Sequence, residues 1–183
     1  MTTSEHWQIP RVVDVIVRER PQSVLDVGAG WGKYGVLARE YAEPAIIDAV
    51  DANPVRYPVY DRVFVGDIRD LGGVLPAEAG PYDLALVIEV IEHLTKEEGW
   101  HLLDQLTRRA KRVLITTPLG FRRQEVPDMP FENHRSGWVP WEFSKRFIVH
   151  RSSIFPGHHS RFLRLPRLWQ ILVVVSARQA AQT

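Results

Sequence analysis

One stretch constrains this chain more than any other: Val24-Leu25-Asp26-Val27-Gly28-Ala29-Gly30-Trp31-Gly32-Lys33-Tyr34-Gly35. It opens as a short apolar run, breaks into glycines at alternate positions, and resumes as a helix-compatible segment. A strand must end and a helix begin within a few residues, a bend that glycine makes at no steric cost. Gly28, Gly30 and Gly32 also leave the backbone bare, so that a ligand can lie directly on it. The helix N-terminus that follows suits the polar or anionic part of a nucleotide-like molecule.

A dinucleotide-binding loop requires G-x-G-x-x-G, but Lys33 stands three residues after Gly30, and the pattern is G-x-G-x-G instead. Together with Leu25-Asp26-Val27, this stretch resembles the first motif of class I S-adenosylmethionine-dependent methyltransferases. The resemblance implies a Rossmann-like α/β fold, a doubly wound and mostly parallel sheet whose final strand is antiparallel. It also implies S-adenosylmethionine as cofactor, with Asp26, Gly28, Ala29, Gly30, Trp31 and Gly32 among the residues that bind it.

The rest of the chain supplies the strand–helix alternation that such a sheet needs. Residues 11–19 read as a leading helix, with Trp7 before it packed on the sheet or lying over the pocket. Residues 23–27 form a first buried strand, and 33–41 a helix. A second strand, 45–51, ends in Asp51, which lies 23 positions after Gly28. At one βαβ unit beyond a glycine loop, a carboxylate can accept both hydroxyls of an adenosine ribose, and Ala52 follows it on the cofactor side. Asp51-Ala52-Asn53-Pro54 then turns into a short helix. After a third strand at 62–65, Asp67 and Ile68 match the positions that hold the adenine amino group and cover the ring in the resembled family.

The fourth strand, 82–88, runs into Glu89-Val90-Ile91-Glu92-His93-Leu94, a second point of resemblance, since many small-molecule methyltransferases of this class carry E-V-I-E-H-L there. Residues 95–110 form a helix and 111–117 a fifth strand. Gly28–Gly32, Asp51, Asp67 and Glu89 then converge at the carboxyl ends of the strands. Beyond Pro118 the alternation stops. The Pro-rich stretch 120–133 reads as a loop over the pocket, where Phe121, Phe131, Trp138 and Trp141 either wall the acceptor or seal the core edge. A helix begins near 139–143, and residues around 153–155 and 168–175 pair as antiparallel edge strands.

A sulfonium methyl is already activated, so the protein needs only to hold the acceptor in line and, for a hydroxyl, to remove a proton. His93 and His134 are the candidate bases, with Glu89 beside them and on the same face as His93 if the segment is helical. Methyltransferases of the terminal 2′-hydroxyl of small RNAs offer a further resemblance: an E-x-x-E-H stretch plus a later histidine holds a divalent metal in them. Glu89, Glu92, His93 and His134 match that set, and two carboxylates with imidazoles suit magnesium or manganese.

Composition removes several alternatives. The chain has 183 residues and no cysteine, which excludes disulfides, thiolate metal sites and cytosine C5 methylation through a cysteine nucleophile. The N/D-P-P-Y/F stretch of amino-methylating DNA enzymes is absent after the fourth strand. No signal peptide or membrane-spanning run is evident, and a cytoplasmic enzyme of one domain, 1–183, is expected. The net charge of +1 hides an asymmetry: from Phe143 onward there are seven Lys/Arg and no Asp or Glu. That basic tail suits an anionic acceptor.

Three functions follow. The first is methylation of a small molecule or glycan, at oxygen, without need of a metal. The second is RNA 2′-O-methylation with a divalent metal. The third is a non-catalytic module that binds S-adenosylmethionine. No membrane partner is expected, and the oligomeric state stays open.

Overall fold

The computed structural model describes residues 4, 6–55, 57–159 and 166–178. Its centre is a seven-stranded sheet built from β1 (Ser23–Val27), β2 (Ile46–Asp51), β3 (Arg62–Val65), β4 (Tyr82–Ile88), β5 (Ala110–Pro118), β6 (Ile148–His159) and β7 (Pro166–Ser176). The strands lie in the order β3-β2-β1-β4-β5-β7-β6. The first five are parallel, and β7 enters antiparallel between β5 and β6. The expected doubly wound α/β sheet with an antiparallel finish is therefore present.

Both faces of the sheet are covered, so its central strands are apolar throughout. Leu25, Val27, Ala85, Val87, Val113 and Ile115 face one core; Val24, Leu84, Leu86 and Leu114 face the other. Helix α1 (Ile9–Glu19) starts two residues earlier than the spacing suggests, because Pro10 is tolerated in a first turn. It buries Val12, Val15 and Ile16 and stops at Arg20, whose left-handed φ of 46° lets its N–H close on the Ile16 carbonyl. Helix α2 is Lys33–Ala42, and α3 is the single turn Leu71–Val74. Helix α4 (Lys96–Arg109) begins at a capping box, in which Thr95 Oγ1 accepts from the Glu98 N–H and the Glu98 carboxylate from the Thr95 N–H.

Asp48, a charge inside β2, is fully buried yet satisfied: Arg62 donates to both its oxygens, at 2.6 and 3.1 Å, and the Tyr82 hydroxyl adds a third bond at 2.7 Å. The short helix expected after Pro54 is not formed by the described residues. That segment is drawn back instead: the Tyr57 N–H bonds the Trp31 carbonyl, and Tyr60 packs over Gly32 and Gly35. The edge strands run longer than their apolar cores implied, and α5 (Pro140–Phe143) precedes them. No helix among the described residues is long and apolar enough to cross a membrane.

Candidate functional site

Strand order reverses between β1 and β4, and this is where an open α/β sheet leaves a crevice beyond its carboxyl ends. A cavity of about 1030 Å³ occupies that position. On its first half lie Gly28, Ala29, Gly30 and Trp31 after β1, Asp51 and Ala52 after β2, and Asp67 and Ile68 after β3. Gly28 has φ +67°, and a Cβ there would stand 2.6 Å from Val90 Cγ2, so that any side chain would meet both backbone strain and a clash.

Asp51 ties two loops together. Its Oδ2 accepts from the Gly30 N–H and its Oδ1 from the Asn53 N–H, both at 2.8 Å. Each oxygen has the capacity to accept a further hydrogen bond. Asp67 lines the cavity as well, but its carboxylate is paired with the Arg69 guanidinium, which holds it below the usual carboxylate range.

Two of the residues expected around the cofactor stand behind the wall instead. Asp26 is 2% exposed, and its Oδ2 accepts from the Tyr60 hydroxyl at 2.6 Å. Gly32 packs against Tyr60, Tyr57 and Val55. Both shape the loop from beneath. At the front, the leading segment reaches the cavity: Lys33 Nζ donates to the Ser4 carbonyl at 2.6 Å, and the Ser4 and Tyr34 hydroxyls lie 3.0 Å apart.

The second half holds the titratable cluster. The E-V-I-E-H segment is not an α-helix. Glu89 has φ +55°, an uncommon conformation for a residue with a side chain, and Ile91–His93 forms one 3-10 turn. Glu89 and His93 therefore do not share a helical face. The Glu89 carboxylate lies by Thr116 Oγ1 (3.4 Å) and Gln170 Nε2 (3.2 Å). Glu92, in contrast, is buried and accepts from Thr117 Oγ1 at 3.0 Å.

The backbone of Glu92 brings in the last member. Its carbonyl accepts the N–H groups of Arg135 and Ser136, at 2.7 and 3.1 Å, which docks the returning chain on the 3-10 turn. His134 consequently meets His93 edge to face, with ring centroids 5.0 Å apart. One ligand atom each from Glu92, His93 and His134 lies within 4.8 Å of the others. Glu89 is outside this group, so three of the four expected metal ligands converge.

The donor set fits a divalent ion. His134 Nδ1 faces the Arg122 carbonyl at 2.7 Å, and His93 Nδ1 faces the Asn133 carbonyl at 3.3 Å. A carbonyl only accepts, so both Nδ1 atoms carry the proton, and both Nε2 lone pairs are left to a ligand. Burial lowers the pKa of both imidazoles, which favours the neutral form a metal ligand needs. Burial, and then the nearby Glu89 charge, pushes the Glu92 carboxyl well above its ordinary range. A cation there would offset that cost.

The loop aromatics divide. Phe131 is exposed and lines the cavity, with Arg69 5.9 Å from its ring centre. Trp138 is not an acceptor wall. It is fully buried in the gap left by Gly99, against Trp100 and Phe143, and its Nε1 donates to Ser136 Oγ and the Ile91 carbonyl. Phe121 and Trp141 are exposed and do not line the cavity; neither does Trp7. In the basic tail, Arg146 and Arg151 pair with Asp104 and Asp14, while residues 161 and 164 lie outside the described residues.

Solved structures share this fold. The methyltransferase domain of bacterial CtHen1 matches with a TM-score of 0.61 at 21% identity, over 92% of this chain and 97% of that one. The chain has a methyltransferase fold. The plantazolicin methyltransferase BpumL, solved with SAH, matches at TM-score 0.62 and 12% identity over 93% and 84% of the two chains. The N-terminal domain of EvdMO1, solved in the presence of SAH and D-fucose, matches at 0.64 and 14% over 96% and 85%. No family model and no curated protein sequence matches the chain.

Proposed function

We propose that this chain is an S-adenosylmethionine-dependent O-methyltransferase that acts on a sugar hydroxyl with a divalent cation at Glu92, His93 and His134. The observation that carries this reading is the convergence of those three side chains on the wall of a cavity whose other half has the glycine loop and Asp51. In this reading Asp51 accepts the ribose hydroxyls, Ile68 covers the adenine, and the Gly28–Trp31 backbone receives the amino-acid end. Magnesium or manganese, when bound, would polarise the acceptor hydroxyl and ease loss of its proton. Glu89, held by Thr116 and Gln170, would be the carboxylate outside the metal set that faces the acceptor.

The terminal ribose of an RNA strand is the acceptor this site supports best. The Glu92-His93 pair with the later His134 matches the pattern of enzymes that methylate such ends. Arg69, Arg122, Arg135 and exposed Phe131 line the same cavity, a combination suited to phosphate and to a stacked base. A small glycan acceptor is the second reading, favoured by the likeness to the EvdMO1 domain solved in the presence of D-fucose.

The test is transfer of labelled methyl from S-adenosylmethionine, with and without Mn²⁺, to a short RNA with a free terminal diol. The same RNA after periodate cleavage and a monosaccharide set serve as comparisons. Metal-dependent labelling of the intact RNA alone is expected, with binding that weakens steeply as salt rises. Labelling of monosaccharides alone would replace RNA with the glycan reading. Failure to bind S-adenosylhomocysteine would remove both, and any turnover excludes a non-catalytic binding role.

A further inference from the structure

Gln170 is a buried amide in the otherwise apolar run 168–175 of β7. Its side chain is 1% exposed on β7, between Pro118 of β5 and Phe155 of β6, and it lines the cavity. Its Nε2 donates to Glu89 Oε2 at 3.2 Å, while its Oε1 has no hydrogen-bond partner among the described residues. A buried acceptor left unsatisfied costs about 1–3 kcal/mol, and native proteins retain few of them without use. The side chain is also fixed from behind. Gly157 lies against it, so close that a Cβ on Gly157 would stand 2.6 Å from Gln170 Cγ.

The strand order says which ligand this oxygen serves. The cofactor half of the cavity is built from the ends of β1, β2 and β3. Gln170 is on β7, on the opposite side of β4 and beyond β5, where Pro118, Leu168 and His134 line the wall. Glu89, at the end of β4, stands between the halves, held by Thr116 and Gln170 and left out of the Glu92–His93–His134 cluster. The acceptor half therefore has two devices: a metal-ligand cluster and a carboxylate–amide pair.

We infer that Gln170 positions the acceptor: its Nε2 fixes Glu89, and its Oε1 accepts a hydrogen bond from a second hydroxyl that is not itself methylated. The acceptor class is then a vicinal diol. This rests on the reading that the acceptor is a sugar hydroxyl, and it adds that a neighbouring hydroxyl is required for tight binding.

The experiment compares binding of a trinucleotide RNA with a free 2′,3′-diol and of its 3′-deoxy counterpart, in the presence of S-adenosylhomocysteine and MnCl₂. Wild-type protein should prefer the diol by about tenfold, the worth of one good hydrogen bond. Gln170→Met, which keeps the volume and loses both polar atoms, should bind both at the weaker level. Its affinities for S-adenosylhomocysteine and Mn²⁺ should stay within about twofold of wild type. Gly157→Ala displaces the amide without touching its chemistry and should erode the same preference, so the test does not depend on one variant folding.

A diol preference retained in Gln170→Met overturns the proposal. So does a parallel loss of S-adenosylhomocysteine affinity, which would place Gln170 with the cofactor. If the wild-type protein binds neither trinucleotide, the RNA acceptor fails, and the same titrations with D-fucose and a deoxy analogue judge Gln170 separately. Indifference to the second hydroxyl in both series overturns the diol inference.

Discussion

The Tyr60 hydroxyl donates to Asp26 Oδ2 at 2.6 Å, joining residues 34 positions apart beneath the glycine loop. Tyr60 keeps its proton and can donate it, because burial pushes its own ionisation far upward. The bond thus anchors β1, the loop and the segment after β2 at one point, and the cavity floor depends on it.

This pair gives the protein a pH-dependent stability. Burial is the largest influence on Asp26 and raises its pKa from an ordinary 3.8 to about 6; the Tyr60 hydrogen bond opposes that rise. A carboxyl with a raised folded pKa keeps its proton longer in the fold than in the unfolded chain. Its contribution is complete below about pH 4 and is lost as pH rises through 6, on the order of 3 kcal/mol in all. Tyr60→Phe should cost about 1.5–3 kcal/mol at pH 8, where the carboxylate is charged, and less at pH 5. Urea unfolding at the two pH values checks this; equal losses would reduce Tyr60 to a packing role.

Gly28→Ala should destabilise through two separable effects. Left-handed backbone at a residue with a Cβ costs about 1–2 kcal/mol, and the Val90 contact adds to it. Val90→Ala introduced into the Gly28→Ala protein should recover the clash and leave the backbone strain. Thermal unfolding of the singles and the double mutant measures both parts.

Asp51→Ala removes the acceptor for two loop N–H groups as well as the expected ribose contact. S-adenosylhomocysteine affinity should fall by about tenfold or more. Calorimetric titration of the folded variant decides it, and an unchanged affinity would withdraw the ribose assignment.

His134→Ala and Glu92→Gln should each abolish the metal dependence of methyl transfer and weaken Mn²⁺ binding by at least about tenfold. S-adenosylhomocysteine binding should persist, because neither residue belongs to the cofactor half. Manganese titration followed by electron paramagnetic resonance gives the first quantity and calorimetry the second. Retained Mn²⁺ affinity in both variants would dissolve the metal site.

Legibility in the sequence followed locality. Apolar runs that alternate with helical spacing placed the five parallel strands within a residue or so, since each buried strand carries its own signal. The glycine loop and Asp51 were legible for the same reason. Contacts between distant segments were not. Nothing near Asp26 announces Tyr60, and the apparent helix at Glu89–His93 is prevented by the backbone turn at Glu89. Trp138 was placed on either a pocket wall or the core edge, and the gap at Gly99, a partner 39 residues away, put it inside. Gln170 did leave a trace: a lone amide in Leu168-Trp169-Gln170-Ile171-Leu172-Val173 is out of character for a buried strand.

The chain leaves the sheet at Leu119 and Gly120 and comes back beside the same two residues at Trp138, where isolated bridges close the circuit. Everything between these points is a cassette whose ends are nailed together and whose far side is docked on the turn after β4, where the Glu92 carbonyl accepts from Arg135 and Ser136. His134 travels in that same cassette with Arg122, Arg135 and Phe131, so a proposed metal ligand and the side chains that line the cavity beside it are inherited, exchanged or lost as one.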